Sequence, residues 1–157
     1  MSRPAVEIRP VEPGDVEQML REMRAVDRAE AAALGFDDIE RGLRESIAAS
    51  HFARTALING RLLAIGGCGK HPGSAMLAPI AVPWLVGTDA LTRYPGVLQR
   101  EARRYIAAML QVYPHLTNVV HVENRVAIRW LKRLGFTVHP PVRVPTGALF
   151  HPFDLRA

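Results

Sequence analysis

Hydrophobic and polar residues change their spacing several times along the first part of the chain. Alternation over Val6–Pro10 predicts a strand, which the prolines at positions 10 and 13 bring to an end. Three helical patterns follow: one capped by Asp15 and reaching about Arg28, one over residues 30–34, and one that starts at Asp37 or Asp38. The opening segment therefore predicts one strand followed by helices.

Two strand patterns come next, over residues 54–58 and 61–68, on either side of Asn59-Gly60. Asn-Gly is the strongest short signal for a β-hairpin, because a type I′ turn needs positive φ at both central residues. The apolar run 78–88 predicts a central strand. Pro83 lies inside this run and cannot donate a ladder hydrogen bond, so we expect the strand to bulge or to part from a neighbour there.

The clearest helical periodicity covers Val97–Val112, and a β-branched strand over 116–122 follows it. Asn124 is then a favoured N-cap for a further helix, because its side-chain oxygen can accept an amide of the first turn. Gly135 suits the position just beyond the end of that helix, where φ is positive. Two short strands near the C-terminus complete the pattern, the last over 148–151.

These elements predict an α/β (α+β) domain with a mixed central sheet and helices on both faces. Hairpin strands require antiparallel pairing, whereas the two strand–helix–strand passages favour parallel neighbours. No linker, repeat or low-complexity tract interrupts the sequence. We therefore expect a single domain over residues 1–157.

Composition narrows the classes of partner. The net charge of +5 suits an anionic ligand such as a nucleotide cofactor, whereas the spread of arginines with few aromatic residues between them does not favour nucleic acid. The single cysteine, Cys68, fits a buried strand position in a reducing compartment. No apolar run reaches the roughly 18 residues of a membrane span, and the N-terminus lacks the apolar core of a secretory signal. We therefore expect a cytoplasmic location without a membrane.

The segment from His121 to Phe136 resembles the closing strand–helix element of the GNAT acyltransferases. Asn124, Ala127, Gly135 and Phe136 fall in register with the pattern of that family. Leu131 does not, because active members usually carry a tyrosine there that protonates the leaving thiolate. The resemblance implies a GNAT fold in which the fourth and fifth strands splay apart, with acetyl-CoA as cofactor and an amine as acyl acceptor, either a small molecule or a peptide.

The resemblance also implies a set of cofactor-binding residues. Arg93 and Gly96 match the family's phosphate-binding signal, in a turn that could cradle a diphosphate or simply open a helix, whereas Leu98 replaces its last small residue. A bulky side chain there could crowd a diphosphate lying against the backbone. We expect acetyl-CoA to contact the residues that the family's geometry assigns to it: the backbone of Leu85, Val86 and Gly87, the turn from Arg93 to Gly96, and Asn124.

Acyl transfer to an amine needs a general base and a proton donor. His121 and Glu123 at the end of the fifth strand, and Glu30 in the second helical pattern, are candidate bases, and no spacing singles one out. With Leu131 at the tyrosine position, Tyr94 is the tyrosine left as a candidate acid. No set of side chains has the spacing of metal ligands, so no metal site is predicted.

Most of the chain also resembles GNAT-like internal virion proteins of tailed bacteriophages, through 24–30, 83–88, 124–136 and Thr146-Gly147. This resemblance implies a phage or prophage origin and leaves two functions open. One is an N-acetyltransferase with partly retained motifs. The other is a non-catalytic virion or assembly protein that binds phage structural proteins or copies of itself, through a C-terminal surface formed by Arg143, Phe150, Phe153 and Arg156, although Phe150 and Phe153 could instead close the core.

Overall fold

The computed structural model describes residues 5–94 and 96–157, and its elements follow the sequence pattern closely. The helices are α1 (Asp15–Glu22), α2 (Ala25–Ala33), α3 (Ile39–Ala49), α4 (Asp89–Thr92), α5 (Gln99–Val112) and α6 (Arg125–Arg133). The strands are β1 (Val6–Pro10), β2 (Ser50–Ile58), β3 (Arg61–Lys70), β4 (Ile80–Gly87), β5 (His115–His121), β6 (Thr137–Val138), β7 (Val142–Arg143) and β8 (Leu149–Arg156). In the described ranges, no helix is both long and apolar enough to cross a membrane.

Within the described residues the eight strands form one mixed sheet, in the order β1-β2-β3-β4-β5-β8-β6, with β7 paired to β8. The predicted hairpin is confirmed: Asn59 and Gly60 have φ of 50° and 76°, and β2 and β3 pair in antiparallel fashion on either side of them. β4 and β5 are parallel, and the remaining neighbours are antiparallel. The mixed sheet that the sequence predicts is therefore confirmed.

β4 and β5 pair only where they begin, at Ile80 with His115 and at Ala81 with Leu116. Beyond this point the strands part, as the proline inside β4 predicts. The side-chain amide of Asn118 on β5 donates a 2.7 Å hydrogen bond to the carbonyl of Pro83. This bond joins the two strands where they separate, and a gap opens from there toward their carboxyl ends.

Helices cover both faces of the sheet. α1 and α3 pack on one face over a core that includes Met19, Leu43 and Ile65. α5 and α6 pack on the other face, where Met109 and Leu131 meet apolar side chains of β5 and β8. The gap between β4 and β5 therefore lies between two helical layers.

The first predicted helix is too long. It ends at Glu22, and Ala25 begins a second helix, because the intervening Arg24 donates its backbone amide to the Gly87 carbonyl at 2.9 Å. Asp15 is not the N-cap either, since Gly14 holds that position. The Asp15 carboxylate is buried instead against Arg9 and the Thr55 hydroxyl.

The helix predicted from Asn124 to Gly135 is confirmed in detail. The Asn124 side chain accepts the Ala127 amide at 3.3 Å, and Gly135 has a φ of 99°. The amides of Gly135 and Phe136 donate to the carbonyls of Lys132 and Leu131, which is the Schellman arrangement. Phe136 is buried beside Leu131, so this local motif also fixes part of the core.

The C-terminal strand corrects the predicted interaction surface. β8 runs to Arg156 and pairs with β5 along seven positions, so it is longer than predicted and lies inside the sheet. Phe150 is fully buried and Phe153 nearly so, with Phe153 packed edge-to-face on Phe136. The two aromatic residues therefore close the core, and only Arg143 and Arg156 of the proposed surface are exposed.

Candidate active site

Three backbone amides near the end of β4 differ in where they point. Thr88 donates its amide to the Leu63 carbonyl on β3 at 2.9 Å, and amides along an antiparallel strand alternate in direction. The amide of Val86, two residues earlier and opposite Ile65, therefore faces β3, whereas those of Leu85 and Gly87 face away from it. Of the three residues predicted to contact acetyl-CoA here, Leu85 has an amide that faces the gap and that has no partner among the described residues across it.

The Gly87 amide is already occupied. It donates a 2.8 Å hydrogen bond to Asp27 Oδ2, and the Asp27 carboxylate also accepts Arg24 Nε and Nη2 at 3.0 and 3.1 Å. Asp27 is buried to about nine-tenths, so its charge is neutralised locally by the guanidinium and the amide. Together with the Arg24 amide bound to the Gly87 carbonyl, these bonds fasten the start of α2 to the end of β4.

One turn further along α2, Glu30 is joined to the other side of the gap. Its Oε2 accepts the side-chain amide of Asn124 at 2.8 Å, and Asn124 is buried at the start of α6. α2 thus contacts β4 through Asp27 and the β5–α6 junction through Glu30, and it spans the two strands where they are parted. Asn124 serves as helix cap and as partner of Glu30 at once.

A pocket of about 210 Å³ opens beside this bridge, and its walls come from α2 and from the end of β5. The lining residues are Val26, Ala29, Glu30, His121, Glu123 and Asn124. All three bases predicted from the sequence are therefore brought together around one cavity, next to the predicted cofactor ligand Asn124.

The environment of Glu30 raises the pKa of its carboxyl. Burial raises the pKa of this carboxyl above its ordinary value, and the nearby negative charge of Asp27 raises it further. The hydrogen bonds from the Asn124 side chain and the His121 backbone act in the opposite direction and do not cancel the effect of burial. A carboxylate with a raised pKa binds a proton more strongly, which suits a general base working near neutral pH.

His121 is less suited to that role. Its Nδ1 accepts the backbone amide of Glu123 at 3.1 Å, so the neutral ring carries its proton on Nε2. With one nitrogen engaged and the other protonated, the neutral ring has no free lone pair and can donate rather than accept. Glu123 is exposed at the rim of the pocket, whereas Glu30 is partly buried, so Glu30 is the more enclosed of the two carboxylates.

The predicted phosphate-binding turn precedes α5. Arg93 is exposed, and a side chain added at Gly96 would meet no atom within 4 Å, so the backbone there is open to close approach. The Pro95 between them lies outside the described residues. Leu98 points into the core beside Ala90 rather than over the turn, which removes the crowding expected from its bulk.

Two of the three tyrosines, Tyr105 and Tyr113, do not replace the residue missing at Leu131. Leu131 is buried in the core with Met109, and the Tyr113 hydroxyl is bonded to His51 Nδ1 at 2.6 Å. Tyr105 packs against the same core, and Tyr94 packs against the core beneath α4. That Tyr94 serves as a catalytic acid therefore stays a prediction of the sequence alone.

Two residues of the site escaped the sequence analysis, Asp27 and Asn118. The Arg24–Asp27 spacing of three is a possible helical ion pair, which was the available signal for Asp27. No local pattern marks Asn118, because its partner Pro83 lies 35 positions earlier in the chain.

No protein-family model and no curated protein sequence matches this chain. Solved structures nevertheless share its fold over almost its whole length. An aminoglycoside N(6′)acetyltransferase from Legionella pneumophila matches with a TM-score of 0.74 and 12% identity, covering 99% of this chain and 94% of that one.

Two further structures agree. Naa50 of Arabidopsis thaliana, in complex with a bisubstrate analogue that contains CoA, matches with a TM-score of 0.67 and 14% identity over 97% of this chain and 99% of its own. A GNAT-family acetyltransferase from Bacillus anthracis gives a TM-score of 0.69 and 12% identity over 96% and 94%. At such identities the likeness concerns architecture, and this chain has the GNAT fold.

Proposed function

We propose that this protein is an acetyl-CoA-dependent N-acetyltransferase in which Glu30 is the general base. The observation that carries the proposal is the gap between β4 and β5, which the Leu85 amide faces on one side and which has the partly buried carboxylate of Glu30 near its open end. The shared fold with acetyltransferase structures supports it, although fold alone does not convey activity.

The residues present fit the cofactor. The open backbone at Gly96 and the exposed guanidinium of Arg93 lie at the start of α5, where amides and a cation suit a diphosphate. The Leu85 amide lies along the gap that would receive the acyl-pantetheine arm, and Asn124 stands beyond it. Acetyl-CoA supplies the activated acetyl group as a thioester.

Each protein group then has one task. Glu30 accepts the proton that the attacking amine loses as the new carbon–nitrogen bond forms. The Leu85 amide donates a hydrogen bond to the acetyl oxygen as negative charge develops there. The Nε2–H group of His121 is available to donate a hydrogen bond, either to a polar group of the acceptor or to the sulfur of the leaving thiolate.

Glu30→Gln tests this assignment. A glutamine can still accept the Asn124 amide, so we expect folding and acetyl-CoA affinity to persist while kcat falls by about 100-fold or more, as for loss of a general base. Because Glu30 must be ionised to act, the wild-type rate falls as pH drops through its raised pKa, and this acid limb vanishes in the variant.

The matched control is Glu7→Gln, which removes an exposed carboxylate from β1. It should keep both the rate and the acid limb. A Glu30→Gln variant with wild-type kcat and an unchanged pH profile would exclude Glu30 as the base.

The second candidate is a non-catalytic assembly protein, in line with the sequence resemblance to phage virion proteins. The observations that favour it are the core position of Leu131, where a tyrosine acid is usual in the family, and the occupation of the Gly87 amide by Asp27. In both proposals three points remain expectations from the sequence: the phage origin, the identity of the acceptor and the partner proteins. Absence of acetyl-CoA binding together with incorporation into particles would favour it.

A further inference from the structure

The pocket beside α2 is acidic in a protein whose net charge is +5. Two of its six lining residues, Glu30 and Glu123, are carboxylic acids, and none of the six is lysine or arginine. Its other walls include the apolar side chains of Val26 and Ala29. The cavity therefore combines two separated acidic groups with an aliphatic surface.

The arginines of the adjoining segment do not neutralise these acids. Arg24 is held in a two-point ion pair by Asp27, and Arg28 donates to the carbonyl of Leu20 on α1. Asn124 donates to Glu30 without carrying charge. Among the lining residues only the His121 imidazole can carry a positive charge, against two carboxylates, so the pocket favours a ligand that brings positive charge.

The volume of the pocket indicates how large a part of the ligand it can hold. The pocket holds about 210 Å³, and the share of one water in the liquid is about 30 Å³, so the cavity accommodates on the order of seven small heavy atoms. A short alkyl chain with an amine at each end has this size. Glu30 is partly buried and Glu123 is exposed, so the two ends of such a chain meet different surroundings.

We propose that the acyl acceptor is a short alkyl amine with a second positive charge. The reacting amine lies at Glu30, the methylene groups lie against Val26 and Ala29, and the distal ammonium pairs with Glu123 at the rim. This inference rests on the proposed function, because it names the acceptor of the same site. The amine nitrogen bonds to the acetyl carbon as the carbon–sulfur bond breaks, the amine proton passes to Glu30, and coenzyme A leaves as a thiolate that takes its proton from solvent.

Binding is measured without turnover. The ¹⁵N-labelled protein is titrated at low salt with 1,4-diaminobutane, n-butylamine and 4-aminobutanoate, while the amides of Glu123 and Asn124 are followed by NMR. We expect the diamine to bind about fivefold more tightly than the monoamine, as for an exposed ion pair, and 4-aminobutanoate to bind more weakly than both. Added salt should shrink the difference.

Glu123→Gln should lower the affinity for the diamine to that for n-butylamine and leave the monoamine unaffected, whereas Glu7→Gln on β1 should change neither. Equal binding of the diamine and the monoamine, a preference for 4-aminobutanoate, or no shift at the pocket amides with any amine would overturn the proposal. If acetyl-CoA still binds in that case, the acceptor class alone has failed. If acetyl-CoA does not bind either, the proposed function has failed with it.

Discussion

Glu30 and Asn124 lie 94 positions apart in the chain and meet through one 2.8 Å hydrogen bond. Asn124 can be identified from sequence because an N-cap is a local feature, and Glu30 appears there only as one of three candidate bases. The choice of Glu30 among these candidates depends on its burial and on the position of Asp27 one turn earlier in α2. Both arise from the packing of the folded chain. The sequence thus predicts which residue types the site holds, and the fold determines which carboxylate is partly withdrawn from solvent.

Arg93 tests the predicted phosphate-binding turn at the level of one side chain. Arg93→Ala should weaken acetyl-CoA binding by about 1.5–3 kcal/mol, the range of a hydrogen bond to a charged group. Arg41→Ala, which removes an exposed arginine from α3 on the opposite face of the sheet, should leave the affinity unchanged. Calorimetry on the two variants measures both, and an equal loss in each would show that only net charge matters.

At the scale of elements, local sequence signals predict where helices end and where hairpins turn, whereas contacts between distant parts of the chain determine where a helical segment is interrupted. Asn59-Gly60 and Gly135 are recognisable because the backbone conformation that they require is rare in other residues. The break at Arg24 could not be predicted in this way. It depends on the Gly87 carbonyl, which reaches α2 only after the sheet has formed, and the residues around the break favour a helix.

β8 provides a direct test of the corrected C-terminal assignment. A chain that ends before His151 loses nearly all the residues that pair with β5, and also the buried Phe153, so we expect it not to fold. A chain that lacks only Ala157 is the control and should fold. Circular dichroism and gel filtration distinguish the two. A truncated chain that folds but fails to self-associate would indicate that Phe153 belongs to an interface and not to the core.

Asp154 joins neighbouring strands through a carboxylate between two histidines. It accepts His139 Nε2 at 2.6 Å and His115 Nε2 at 3.0 Å, and these bonds, led by that of His139, hold its pKa below the ordinary value of 3.8. A lowered folded pKa contributes stability above the unfolded pKa, and this contribution is lost as pH falls through the folded one.

Asp154→Asn should therefore lower the free energy of unfolding by about 1 kcal/mol at pH 7. The difference from the wild type should shrink below about pH 4. Urea unfolding at both pH values measures it, with the exposed Asp37→Asn as the control. A deficit that stays constant from pH 7 to pH 3 would contradict this account of the carboxylate.

At the scale of the whole molecule, the parting of β4 and β5 connects the two faces of the sheet. The turn at Gly96 and the start of α5 lie with one helical layer, whereas α2 with Glu30 spans the ends of the parted strands. A thioester in the gap would be reached by the cofactor from one side and by the amine from the other. This division of the sheet follows from two features of the chain, Pro83 in β4 and the bridge that α2 forms across the parted strands.

The most direct test of the account is a calorimetric titration of the purified protein with acetyl-CoA and with desulfo-CoA. Both ligands carry the diphosphate and the pantetheine arm that the turn and the gap are proposed to hold. The account predicts saturable binding of each with one molecule per chain. Absence of saturable heat with either ligand at millimolar concentration would contradict it.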